Sequence, residues 1–212
     1  MSISTIIGIC GCSASGKTSL ASGLLKLLNH RAGVISLDAY YKPFTDLAPQ
    51  ERKKINFDHP SSFDFELFEN HIKAIRQGHH IKFPVYSFEE QRRKTKTIDF
   101  FPTSITIIDG ILLYHVPAIR DLFDIKLFID SSEKMRKRRR IERDMLERNL
   151  PLEFILTLYN RDVLPMSEKY VLPQKAFSDI ILDGDASKET LLGEAASKLS
   201  KYMGNDGRYT NG

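Results

Sequence analysis

One run constrains this chain more than any other: Gly11-Cys12-Ser13-Ala14-Ser15-Gly16-Lys17-Thr18, a glycine, four residues, then glycine, lysine and a hydroxyl residue. Glycines at both ends let the backbone turn so that successive N–H groups converge on phosphate oxygens, where a side chain would block the approach. Lys17 adds a mobile positive charge for the outer phosphates, and the Thr18 hydroxyl is a hard oxygen ligand suited to Mg²⁺. The pattern is short, so its context decides. Thr5 to Cys10 reads as a buried strand entering the loop. Leu20, Leu24, Leu27 and Leu28 then repeat at helical spacing, so Thr18 to Leu28 is expected to be a helix whose positive end, near Ser19, faces the same phosphates. Strand, glycine loop and helix together predict a nucleotide-binding α/β fold.

Composition narrows the partners. The chain has 212 residues, 42% of them hydrophobic and 27% charged, which suits one α/β domain with excursions. We expect that domain over residues 1–203 and a disordered tail over 204–212. No apolar run approaches a membrane span and no signal peptide is evident at the start, so the default expectation is a cytoplasmic protein without a membrane partner. The net charge of +4 suits an anionic ligand, whether nucleotide or nucleic acid. Cys10 and Cys12 do not have zinc-site spacing and read as small residues in a crowded turn; a redox-sensitive Cys12 thiol beside the phosphates is the alternative.

Further along, Gly33 to Leu37 reads as a strand ending at Asp38, and Ile105 to Ile108 as a strand closed by Asp109. Ligands of open parallel sheets lie beyond the carboxyl ends of strands. Asp38 is thus a candidate base for an attacking hydroxyl, or else a turn aspartate, and Asp109 has the form of a Mg²⁺-supporting carboxylate. Residues 43–62 read as a long polar loop. From Asp64 a helix carrying Phe65, Phe68, Ile72 and Ile75 runs toward Gly78. Ile81 to Phe83 and Thr95 to Ile98 suggest a hairpin flap, whose Tyr86 and Phe88 are either core aromatics or a surface for a planar base. A strand over Ile125 to Ile129 leads into a charged helix, Glu133 to Arg148, with Arg136, Arg140 and Arg143 on one face. This face reads as a lid for a transferring phosphoryl group, a solvated surface or a nucleic-acid patch; the interleaved acids dilute the last reading. Leu152 to Tyr170 is expected to be helical and broken at Pro165. A last strand at Ile180 to Leu182 and a closing helix through Leu191 and Leu199 complete the pattern.

Taken in order, these motifs resemble the uridine kinase and phosphoribulokinase group. The resemblance rests on the Gly11 to Thr18 loop, Asp38-Ala39-Tyr40-Tyr41, Asn56-Phe57-Asp58-His59-Pro60, Pro84-Val85-Tyr86, Gly110-Ile111-Leu112, Arg120-Asp121-Leu122-Phe123, Arg139-Arg140 with Arg143-Asp144, Glu147-Arg148, and Leu172-Pro173, and covers about residues 5 to 185. It implies a P-loop fold, a central parallel sheet flanked by helices with a hairpin flap and an arginine-bearing lid. It further implies phosphorylation of the 5′-hydroxyl of uridine or cytidine, with ATP or GTP as donor and Mg²⁺, and a homo-oligomer, often a tetramer. On that resemblance Asp38 matches the general base, Asp58 and Arg140 the ribose-binding pair, and Tyr41, Tyr86 and Phe88 the nucleoside pocket. Arg143 and Arg148 match phosphate-facing lid arginines. Three acceptor-pocket positions depart from the group's pattern: Gln91 stands in place of a flap histidine, Leu150 of a lid arginine and Leu158 of a glutamine. Asp109 replaces a glutamate, and Leu182-Asp183-Gly184 replaces the usual segment by the donor base. The acceptor and the donor base therefore stay open. The rivals are a sibling kinase acting on another hydroxyl-bearing metabolite and a nucleotide switch or nucleic-acid binder using the 134–148 helix.

Overall fold

The computed structural model describes residues 4–204 apart from Lys53. Five parallel strands form the central sheet: β1 (Thr5–Gly11), β2 (Ala32–Ser36), β5 (Ile105–Gly110), β6 (Ile125–Asp130) and β7 (Ile180–Asp183), in the order β2-β5-β1-β6-β7. Strands covered on both faces read as continuous apolar runs, and β1 and β5 are buried throughout. Their side chains alternate between two cores. Ile6, Cys10 and Ile108 pack with Tyr40, Phe68 and Phe128. Ile7, Ile9 and Ile107 pack on the other face with Leu20, Leu24 and Leu191.

Helices α1 (Lys17–Leu28), α2 (Phe65–Arg76), α3 (Glu133–Leu146) and α4 (Lys188–Gly204) flank the sheet, and none of the described helices is long and apolar enough to cross a membrane. The polar stretch over 43–62 contains two short helical turns, Pro49–Arg52 and Pro60–Ser62. Asp64 caps α2 by accepting from the Leu67 N–H at 3.2 Å. A separate antiparallel hairpin, β3 (Ile81–Ser87) and β4 (Arg92–Phe100), forms the flap. Its first strand runs on through Pro84 to Ser87, beyond the expected end, with an irregularity in the pairing between Pro84 and Tyr86.

Two expectations need correction. Pro165 does not break its helix: the helical run from Leu152 continues to Phe177. Wider turns at Tyr159–Val163 and Ser167–Val171 flank the proline, with Leu164 N–H donating to Tyr159 O and Leu172 N–H to Ser167 O, five residues back. Such turns relieve the missing donor and the clash that proline brings to a regular helix. Gly204, expected to open the tail, is the last residue of α4; the remainder of that tail, 205–212, lies outside the described residues.

Register sets the site. Asp109 pairs with Ile9 of β1 on one side and with Ser36 of β2 on the other. The glycine loop, Asp109 and Asp38 thus leave the sheet at one level, at its carboxyl edge.

Candidate active site

Backbone geometry explains the loop residues. Gly11 has φ +149°, and a Cβ there would lie 2.7 Å from Ile129 O and 2.8 Å from the Ser15 Oγ. Gly16, at φ +106°, precedes α1 in a left-handed conformation, and Ala14 turns the loop with φ +63°. Inside the turn the Lys17 ammonium donates to Cys12 O at 2.8 Å, and the buried Ser15 hydroxyl has no partner among the described residues. Thr18 and Ser19, at the start of α1, are exposed. Both cysteines are buried. Burial pushes the Cys10 thiol up to about 12 and raises that of Cys12 as well, which works against the thiolate character that a redox-sensitive Cys12 needs.

The Thr18 hydroxyl donates to Asp109 Oδ2 at 2.7 Å. Asp109 is 2% exposed and its other oxygen, Oδ1, is buried with no partner among the described residues. An orphaned buried carboxylate oxygen beside a hydroxyl is a hard donor set, and two protein ligands are the usual share for a Mg²⁺ that also binds phosphates and water. These residues therefore fit the cation.

Asp38 lies in a tight turn, Leu37–Tyr40, directly after β2, with its N–H donating to the Ser36 Oγ at 3.3 Å. Burial raises its carboxyl from 3.8 to about 6; Asp109 and Asp58 push the same way, against Lys17 and Arg143. Asp58 sits in a turn held by its N–H donating to Asn56 Oδ1 at 3.0 Å. Its carboxyl is also raised by burial, opposed chiefly by Arg140. The two carboxylates and the cationic residues thus share one electrostatic environment, the condition under which a carboxylate becomes a useful base near neutral pH.

The flap brings an aromatic wall to the same place. The Tyr41 ring lies 5.0 Å from Tyr86 and 6.3 Å from Phe88, with Phe57 at 5.3 Å. Tyr41 is buried whereas Phe88 is 48% exposed, and the Tyr86 hydroxyl is buried without a partner among the described residues. Gln91 occupies the hairpin turn at φ +51°. The flap is docked by a residue that sequence reasoning missed: the Arg93 guanidinium donates to Tyr41 O at 2.8 Å and to Asp64 Oδ2 at 3.1 Å.

Helix α3 and the turn that follows it supply the arginines. Arg140 donates to the Ser13 hydroxyl at 2.9 Å and pairs with Asp144 at 3.2 Å. Arg143 pairs with Asp144 at 2.8 Å, and Arg148 pairs with it at 3.5 Å while lying 5.0 Å from the centre of the Phe88 ring. Arg136 does not join them: it is buried at the base of α3 and donates to Ser131 O at 3.0 Å. Asp144 was legible only as part of a motif; its spacing of four from Arg140 and from Arg148 is the signal that could have found it. Gln174, also missed, is buried where its Oε1 accepts from Tyr114 N–H at 2.7 Å and its Nε2 donates to Ile111 O at 2.9 Å. No periodicity marks it. Leu150 and Leu158 are half-buried beyond α3 and in the helical run that follows.

Comparison with known proteins gives a consistent picture. Residues 6–190 match the Phosphoribulokinase / Uridine kinase family. Among curated relatives, a uridine kinase of Macrococcus caseolyticus (strain JCSC5402) is 38% identical over 204 residues, covering 96% of this chain and 99% of the relative. A uridine kinase of Proteus mirabilis (strain HI4320) is 36% identical over 203 residues, covering 93% and 95%. Of solved structures, a D-glycerate 3-kinase from Cryptococcus neoformans var. grubii has a TM-score of 0.63 at 15% identity, covering 88% of each chain. The phosphoribulokinase from Rhodobacter spheroides has a TM-score of 0.61 at 14% identity, covering 85% of this chain and 70% of that one. At those identities the two structures speak to the fold alone.

Proposed function

Because the chain belongs to the Phosphoribulokinase / Uridine kinase family, we propose that it phosphorylates the 5′-hydroxyl of uridine, and of cytidine, with ATP or GTP as donor, in pyrimidine salvage. The observation that carries this reading is the aromatic wall of Tyr41, Tyr86 and Phe88 standing beside Asp38 and Asp58, with Arg148 reaching from the lid to the Phe88 ring. A planar base stacks on such a wall while the adjoining carboxylates meet sugar hydroxyls. The relatives named uridine kinases support the choice of acceptor.

Each residue has a part in the transfer. The loop from Gly11 to Thr18, with Lys17 and Ser19, cradles the donor phosphates. Thr18 and Asp109 would hold Mg²⁺, which when bound offsets the phosphate charge. Asp58 and Arg140 grip the ribose, Gln91 meets the base edge, and Tyr41 closes the pocket. Asp38 accepts the 5′-hydroxyl proton as that oxygen bonds to the γ-phosphorus and the bond to the bridging oxygen breaks, releasing ADP or GDP. Arg143 and Arg148 stabilise the charge that spreads over the transferring group.

The test is turnover with Mg-ATP against uridine, cytidine, other nucleosides and ribulose 5-phosphate. Product from uridine or cytidine that disappears in Asp38→Asn supports the reading. Turnover confined to another acceptor would reject it and locate the change at Gln91, Leu150 and Leu158.

A further inference from the structure

The lid presents an arrangement that the roles above do not use. Three guanidiniums converge on one carboxylate: Arg140 at 3.2 Å, Arg143 at 2.8 Å and Arg148 at 3.5 Å from Asp144, whose side chain is 3% exposed. The same arginines reach outward to separate parts of the site. Arg140 donates to Ser13 at the tip of the phosphate loop, and Arg148 lies over Phe88 of the flap. The Asp144 main chain also holds the segment that leaves the helix, since its carbonyl accepts from Leu150 N–H at 3.1 Å.

We infer that Asp144 is the positioning residue of the lid, a fixed negative charge that holds Arg140 toward the phosphate loop and Arg148 toward the flap before either substrate arrives. Arg140 and Arg143 on α3 and Arg148 in the turn that follows it carry like charges that repel one another. Without a shared counter-charge they would spread into solvent and would have to be gathered during each turnover. A preassembled cluster removes that reorganisation from the barrier, which is the way fixed charges act most strongly in catalysis. Asp144 does not touch the reacting atoms. It acts through its three partners, and its assignment to turnover rests on the kinase reading above.

The position of the charge predicts a split between binding and turnover. Removing it leaves three cations without their shared counter-charge, which attract a polyphosphate at least as well as before but hold it in no fixed geometry. Asp144→Asn, which keeps the shape and removes the charge, should therefore lower kcat on the order of 10²-fold. A fluorescent ATP analogue should bind it as tightly as wild type or more tightly, with a steeper dependence on salt. Asp144→Glu keeps the charge and displaces it by one methylene, so its kcat should fall by less, about tenfold.

Uridine turnover, analogue binding over a salt series and the thermal midpoint are measured on wild type and both variants. Loss of kcat with binding retained supports the proposal. It is overturned by a folded Asp144→Asn within about threefold of wild-type kcat, or by weaker analogue binding in step with a lowered midpoint, which marks a merely structural role. Should Asp144→Asn not fold, the Glu variant decides, because a folded Asp144→Glu with undiminished kcat overturns the idea. Absence of uridine turnover in wild type counts against the functional reading alone. Asp144 is then judged by the salt series, where a steeper slope in the Asn variant supports it and an unchanged slope overturns it.

Discussion

The Thr18 hydroxyl donates to Asp109 Oδ2 at 2.7 Å, joining residues 91 apart in sequence at the carboxyl edge of the sheet. Oδ1 of the same carboxylate is buried and unpartnered among the described residues, which suits the Mg²⁺ role proposed for the pair. Asp109→Asn should lower Mg²⁺-dependent turnover on the order of 10²-fold and raise the Mg²⁺ concentration needed for half-maximal rate. A metal titration of wild type and variant checks this; an unchanged Mg²⁺ requirement would sink it.

Asp38 gives a pH prediction. A base must be ionised, so kcat/KM, which reports the free enzyme, should rise as pH passes upward through about 6, where burial has placed the carboxyl. Stability runs the other way. The folded pKa lies above the unfolded value of 3.8, so the favourable contribution of the protonated form is complete below pH 3.8 and is lost as pH rises through about 6. Asp38→Asn should thus abolish most turnover yet leave the ligand-free protein more stable at pH 8 by roughly 3 kcal/mol. Rate profiles and melting curves at pH 5 and pH 8 test both halves, and a variant less stable at pH 8 would refute the second.

Gly110 follows Asp109, and a Cβ there would lie 2.5 Å from the Leu37 Cβ, the residue before Asp38. Backbone-anchored atoms on both sides leave little room to give. Gly110→Ala should cost about 1–3 kcal/mol of stability and lower kcat more than it raises KM, because it moves the base rather than the binding surface. Denaturant titration together with steady-state kinetics reads the two effects; wild-type kcat would show that Asp38 is not displaced.

Phe88 is 48% exposed, so its removal should barely alter stability. If it flanks the base, Phe88→Ala should raise KM for the nucleoside about fivefold, corresponding to roughly 1 kcal/mol of ring contact, while KM for ATP changes less. Equal increases in both would assign the ring to the donor side through Arg148.

The parts of this site that were legible share a physical cause. Asp38 and Asp109 each close an apolar run, and a strand that ends in a carboxylate can place it only at the sheet edge. The glycine loop was legible because its conformations, φ +149° at Gly11 and +106° at Gly16, exclude most side chains. Asp144 is legible as part of a motif but not as the arginines' shared partner, because a carboxylate within Glu133 to Arg148 looks like any other member of a solvated face. Its burial depends on what packs over the helix. Pro165 misled for a similar reason, since the wide turns that accommodate it are fixed by tertiary packing. Gln174 and Arg93 act through backbone carbonyls far away in sequence, and such partners leave no trace in local pattern.

The sheet order has a consequence for how the molecule breathes. β1 and β5, which carry the phosphate loop and Asp109, are interior strands with partners on both sides. The flap is a lone pair of strands, and most residues of β4 are exposed. Amide protons at the donor site should therefore exchange only when the whole sheet opens, while those of the flap exchange through small local openings. On the proposed reading, the parts that hold the donor would then be the stiffest of the molecule and the flap beside the acceptor among its loosest.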